Sequence, residues 1–189
     1  MCHALLQTPK FFRLLHSMDQ ELAAQSRADG CPYCNGVLHC ANYPRKPRAC
    51  PKEVRAEFEY RHSFCCNLCR RRTTPKSVCF LGRRVYLALA VVLLSARHAG
   101  QTAAAAALSG ELGVSTRTLE RWCIWWQQDF PLTPLWQATC ARFMPPVANL
   151  SLPTGLLERF VGNAEEMLLR LLVFLSPITV KPFALPEGR

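Results

Sequence analysis

The chain has 189 residues, half of them apolar, with 23 Lys and Arg against 13 Asp and Glu for a net charge of +10. A chain of this length and composition can bury at least one core, which excludes disorder throughout. Its longest apolar run, Val85 to Ala96 between Arg84 and Arg97, is short of the roughly eighteen residues a bilayer span needs. The N-terminus carries Lys10, Arg13 and His16 among its apolar residues and lacks the order of a secretory signal, so a cytoplasmic protein without membrane association is expected.

Charge and cysteine share one region. Residues 1–44 hold three basic and three acidic side chains, residues 45–97 thirteen and three, and residues 98–189 seven and seven. The net charge therefore belongs to the middle stretch, and a basic patch between neutral flanks is the footprint of a polyanion binder, because each Lys or Arg set on a phosphate releases counterions. A solvated, solubilising face is the bland alternative.

Taken in chain order, residues 1–28 read as an N-terminal helical segment and residues 29–82 as a small metal-binding β unit. Eight of the eleven cysteines fall between Cys31 and Cys79, and an odd total without a secretory signal favours metal over disulfides. Cys31-Pro-Tyr-Cys34 and Cys66-Asn-Leu-Cys69 are both C-x-x-C pairs; each wraps a turn around one cation, and two pairs supply the four thiolates that suit tetrahedral zinc. Gly36 gives the backbone freedom to turn tightly beneath the metal. The 31 residues between the pairs require an extended hairpin or loop, and the prolines of Tyr43-Pro-Arg-Lys-Pro-Arg48 and Cys50-Pro51 resist both helix and ladder. Cys65 competes with Cys66 as a ligand; C-x-x-C spacing favours Cys66. Cys40, Cys50 and Cys79 with His39 and His62 could form a second site, or the thiols could be small apolar core residues. A redox role for Cys31 and Cys34 needs a βαβ setting that this stretch does not show.

From Arg70 to Arg84 there are six positive charges (Arg70, Arg71, Arg72, Lys76, Arg83 and Arg84) and no negative one. They serve as phosphate contacts, as neutralisers of a dianionic four-thiolate centre, or both. Residues 83–130 read as a helix-turn-helix. Arg83 to His98 is a helix buried on most sides, ended by Gly100. A second helix through the alanines of Thr102 to Leu108 closes at Leu112-Gly113. A third begins after Val114 with Ser115 as N-cap, turns Leu119 and Trp122 inward, and leaves Thr116, Arg117, Thr118 and Arg121 outward, where such residues reach base edges and phosphates. Of the tryptophans at 122, 125 and 126, Trp125 is expected to reach outward.

The order of these motifs, a zinc-ribbon pattern with Cys-Asn-Leu-Cys-Arg-Arg-Arg-Thr-Thr-Pro followed by Leu-Gly-Val-Ser-Thr-Arg-Thr-Leu-Glu-Arg-Trp, resembles the DNA-binding front end of bacterial insertion-sequence transposases and their accessory proteins. The resemblance covers residues 31–128, and the long spacer departs from the compact ribbon. It implies recognition of an element's terminal repeats in double-stranded DNA, with a transposase or recombinase as partner.

Residues 131–189 read as a C-terminal helical extension: Thr133 to Phe143, Thr154 to Phe160, and Asn163 to Leu175 with Asn163 as cap and Glu165 and Glu166 in the first turn. Its broad apolar face either closes the core or pairs two copies in a homodimer. The acids after Asp129 are Glu158, Glu165, Glu166 and Glu187, which cannot supply the carboxylate set of a two-metal nuclease, and there is no phosphate loop or nucleophile elbow. The sequence therefore predicts a mainly α protein with a small β zinc ribbon, a helix-turn-helix bundle and C-terminal helices, acting as a non-catalytic, zinc-dependent binder of duplex DNA in transposition or transcription regulation. A protein-interaction adaptor of a recombinase or transcription complex, or a truncated transposase remnant, is the alternative.

Overall fold

The computed structural model describes residues 2–81, 88–98, 110 and 113–180. The protein is helix-rich with two small antiparallel sheets. After a short 3-10 turn, Cys2–Gln7, helix α1 spans Pro9–Ala28. Pro9 at the first helical position supplies the right φ and lacks an N–H that would be unpaired there. Phe11, Phe12, Leu15, Asp19 and Ala23 form its buried stripe.

The segment after α1 contributes β1 (Leu38–Cys40), β2 (Tyr43–Pro44), a 3-10 turn (Lys52–Phe58), β3 (Tyr60–Arg61), β4 (Phe64–Cys66) and β5 (Arg72–Thr73). Strands β1, β4 and β5 form one sheet in that order, with His39 opposite Cys65 and Cys65 opposite Arg72; β2 and β3 form a separate ribbon. The spacer between the cysteine pairs is thus not a bare loop. Pro44 sits in a ladder after all, paired with Tyr60, because β2 has one partner only and an edge position tolerates a missing donor. The 3-10 turn that follows Pro51 sends Val54 and Phe58 into the main core. Phe58 meets Phe12 edge-on at 6.0 Å and Phe80 at 6.4 Å. The length of the spacer is what lets the sheet unit reach the helices.

Helix α2 spans Ala88–His98 and α3 spans Thr116–Ile124. Every residue of α2 from Ala88 to Ser95 is buried, as its unbroken apolar sequence requires. A π turn (Trp125–Asp129) and a 3-10 turn (Phe130–Leu132) lead into α4 (Pro134–Thr139), where the Thr133 hydroxyl accepts the Trp136 N–H at 3.2 Å. Helices α5 (Thr154–Leu157) and α6 (Ala164–Leu175) complete the fold. Asn163 and Glu166 cap α6 reciprocally, each side chain taking the other's backbone N–H at 3.0 Å. The face expected to close the core or pair copies does the former for Leu168, Leu171, Leu172 and Leu175. The expected first helix of the helix-turn-helix, 102–108, lies outside the described residues, as do Arg83 and Arg84.

One large apolar cluster draws on all four segments expected from the sequence, from Leu5 to Ile178. A second, small one contains Ala23, Cys31, Leu38, Phe64 and Cys66. Helix α1 serves both, with Phe11, Phe12 and Leu15 in the first and Ala23 in the second. Between them lies Asp19, 3% exposed. Its carboxylate accepts the Ser77 hydroxyl at 2.5 Å and the Val78 N–H at 2.7 Å, and the Ser77 oxygen accepts the N–H groups of Cys79 and Phe80. Arg61, equally buried, donates to the Pro75 carbonyl and lies over the Phe80 ring at 5.9 Å. Burial lowers its pKa, while the charge of Asp19 raises it in opposition. This buried network fixes the exit from β5 to the middle of α1. Asp19→Ala leaves two buried donors without their acceptor, at roughly 1–3 kcal/mol each. Urea unfolding should show a loss of about 2 kcal/mol or more, and Asp19→Asn a smaller one; a variant within 0.5 kcal/mol of wild type, on the order of a surface substitution, would mean that the network does not hold the two units together.

Candidate metal centre and basic surface

The two C-x-x-C turns have the same backbone. In the first, the Cys31 N–H donates to Gly36 O at 3.0 Å; in the second, the Cys66 N–H donates to Arg71 O at 3.0 Å. In both, the residue after the second cysteine is left-handed: Asn35 at φ 57° and Arg70 at φ 58°. Asn tolerates that conformation, whereas Arg bears a cost of order 1 kcal/mol or more. Gly36 is not among the left-handed residues, so the expected conformational freedom is not its role. Its hydrogen is needed because a Cβ there would lie 2.8 Å from Cys66 Sγ and 3.0 Å from a Leu68 methyl.

These turns bring the sulfurs of Cys31, Cys34, Cys66 and Cys69 within 4.8 Å of one another. Cys31 and Cys69 are 3.5 Å apart, and Cys34 and Cys66 3.4 Å. Four ligands at the zinc–thiolate distance of about 2.3 Å stand about 3.8 Å apart at the edges of a tetrahedron, and a disulfide would need about 2.05 Å. The four thiols fit a metal ion. Cys31 and Cys66 are fully buried and Cys34 is exposed, so the ion would lie near the surface with its sheet side closed by Leu38 and Phe64.

The local electrostatics push the same way. Burial alone raises the Cys66 thiol, but the backbone N–H groups of Cys69 and Leu68 and the thiols of Cys34 and Cys69 bring it down to about 6. At Cys69 the Arg71 N–H favours ionisation, yet burial and the neighbouring thiols outweigh it and push the group up to about 12. One thiolate forms readily and the next does not, until a cation offsets the charge.

Strand alternation puts Cys66 in the cluster and Cys65 outside it. Cys66 shares its face with Phe64 toward the small core, while Cys65 points to the opposite face, its thiol donating to Arg70 O at 3.5 Å. Among the described residues no second group of metal-ligating side chains forms. Cys50 and Cys79 are buried in the main cluster, Cys40 and His39 are exposed, and His62 is half-buried.

Arg70, Arg71, Arg72 and Lys76 are all exposed and form no ion pair among the described residues. Arg71 lies over the Tyr33 ring at 4.7 Å. Arg72 lies over Tyr43 at 4.3 Å and donates to Ala41 O at 3.2 Å. Sequence reasoning gave these tyrosines no part, because Tyr33 and Arg71, and Tyr43 and Arg72, lie far apart in the chain and meet only in the fold. Arg61 is buried and does not belong to the surface.

Helix α3 starts where expected, with Val114, Leu119 and Trp122 buried. Ser115 is the N-cap residue through its carbonyl, which accepts from Thr118 and Leu119, but its hydroxyl meets the Thr118 hydroxyl at 3.0 Å instead of a backbone N–H. Two expected outward residues are not outward. Thr118 is 6% exposed, and half-buried Arg121 is turned back to donate to its Oγ1 at 3.2 Å. Thr116 and Arg117 remain exposed. Trp125 does not reach out; it is 1% exposed, against Trp126 at 4.8 Å.

No family model, curated protein or solved structure matches the chain. Among the described residues no helix is long and apolar enough to cross a membrane.

Metal analysis of the purified protein should find one ion per chain, lost in Cys66→Ser and kept in Cys65→Ser; the reverse pattern would assign the ligand wrongly. Gly36→Ala should weaken retention by displacing the Cys66 sulfur. Because thiols must release their protons to bind, affinity should fall with falling pH, by tenfold per pH unit for each proton displaced. A competition titration between pH 8 and 6 that shows no change would contradict this.

Proposed function

We propose that the protein is a non-catalytic, zinc-dependent binder of duplex DNA. The observation that carries this reading is the metal-ready turn pair bordered by Arg70, Arg71, Arg72 and Lys76, all exposed without an ion-pair partner among the described residues. Lys46 and Arg48 on the same unit are exposed as well. Four thiolates around zinc leave a net charge of −2, which this many cations exceed. The surplus favours a polyanion.

In this reading the sheet unit acts as a zinc ribbon that grips phosphates, and α3 acts as the second helix of a helix-turn-helix, with Arg117 at its exposed start reading base edges. Arg121, tied to Thr118, supports the helix instead of reading sequence. The order of the two units suits a transposition-associated or regulatory protein recognising terminal repeats or an operator. A protein-interaction adaptor is the second reading, favoured by exposed Leu132, Met144, Leu150 and Val161 in the C-terminal part.

Equilibrium binding to duplex DNA across a salt series separates the two. Arg70→Gly combined with Arg71→Gln removes two charges, and the glycine suits the left-handed position. The double variant should keep its metal, bind all duplexes more weakly and reduce the salt slope by about one for each phosphate it no longer neutralises. Unchanged binding, or no duplex binding by wild type, overturns the reading. Selection from a random duplex pool should show Arg117→Ala losing preference at one base position, worth roughly 1–3 kcal/mol; an unchanged motif would rule out α3 as the reader.

A further inference from the structure

We propose that Tyr33 and Arg71 form a stacking platform for an unpaired base, so that the metal-bearing end of the protein takes single-stranded DNA at a frayed or overhanging duplex terminus. This rests on the DNA-binding reading and names the form of DNA that one part of the surface takes.

The two cysteine turns correspond position by position. Tyr33 and Leu68 hold the same position, third in each C-x-x-C, and Gly36 and Arg71 hold the same position two residues after each pair. Each third-position side chain reaches across to the other turn's exit. Leu68 closes against Gly36, where a Cβ would lie 3.0 Å from its methyl. Tyr33 meets Arg71 at 4.7 Å. On the Leu68 side one methyl lies over the glycine while the rest of the side chain is exposed, and the Tyr33 side is an aromatic ring paired with a planar cation.

Tyr33 nevertheless remains 58% exposed. Arg71 covers part of the ring, and the rest faces solvent. The guanidinium makes no hydrogen bond or ion pair among the described residues beyond this contact, so its N–H groups stay available to a phosphate or a base edge. The other tyrosine–arginine pair differs: Tyr43 is half-buried, approached by both Arg72 at 4.3 Å and Arg45 at 5.8 Å, and Arg72 is tied to Ala41 O. That pair is a closed brace on the sheet. Arg70 stands next to Arg71, also exposed, and Val37 and Leu68 extend the apolar tip at 61% and 68% exposure.

An open aromatic face with a stacked guanidinium and a second cation alongside matches a base with its flanking phosphates. Every base has a π-face, and base–aromatic stacking with backbone-tracking cations is how single strands are held without sequence preference. Bases within an intact duplex present no such face. An acidic peptide would satisfy the arginines but leave the ring without a role.

The test uses the metal-loaded full chain, a labelled blunt duplex, the same duplex with an oligo-dT overhang, and oligo-dT alone, with metal content measured for each variant. The overhang should tighten wild-type binding by about tenfold, the scale of one stacked base. Tyr33→Ala should lose that gain while keeping blunt-duplex affinity within about twofold, and Tyr33→Phe should retain it. No gain from the overhang in wild type, a gain that survives Tyr33→Ala, or equal losses on blunt and overhanging duplex would each overturn the platform. If wild type binds oligo-dT through Tyr33 but not blunt duplex, the duplex reading fails and the platform stands.

Discussion

Four thiols held within 4.8 Å of one another put four sulfurs, each able to carry a negative charge, into a small, partly buried volume, a charge conflict that a cation would offset. The opposite displacements of Cys66 and Cys69 express that conflict. The rest of the sheet unit follows from its resolution. Its strands are two or three residues long, and its own apolar cluster contains Ala23, Leu38 and Phe64 besides the cysteines. A core that small does not sustain a fold alone, and a structural metal is the usual remedy. An ion that tied the two turns would hold the register of β1 with β4 and β4 with β5, and with it the positions of Arg71 and Arg72.

The sheet unit does not stand apart from the helices. Helix α1 runs through both apolar clusters, and the buried Asp19–Ser77 network joins its middle to the segment leaving β5. From the other side, the spacer between the cysteine pairs inserts Phe58 against Phe12 and Phe80. Loss of the metal would therefore be felt first in the sheets and only indirectly in the main cluster, which has its own supply of apolar residues from α2, α3 and α6.

Much of this was legible in the sequence where a local rule has one solution. The C-x-x-C spacing favoured the four sulfurs that come together, Asn163 with Glu166 marked the start of α6, and the apolar run of α2 announced burial on most sides. Reading failed where two side chains compete for one local contact. Thr118 looks outward on a helical wheel, but its hydroxyl meets the Ser115 hydroxyl and takes a hydrogen bond from Arg121, and Thr118 is buried and Arg121 half-buried. Gly36 carried the expected glycine without the expected conformation, because its constraint is the approach of Cys66 Sγ, a contact 30 residues distant in the chain. The run Arg70 to Arg72 reads as one patch, yet Arg71, just before β5, lies over Tyr33 and Arg72, its first residue, lies over Tyr43. Long-range pairings of this kind have no signature in spacing.

The proposed function requires that one metal ion assemble a surface able to hold DNA. The direct measurement is a zinc titration of metal-free protein, with duplex-DNA binding followed by fluorescence anisotropy at fixed, moderate salt. Binding should be weak without metal, rise with added zinc and saturate at one equivalent per chain, with no such rise in Cys66→Ser. Full-strength binding by metal-free protein, or a rise that needs no Cys66, would contradict it.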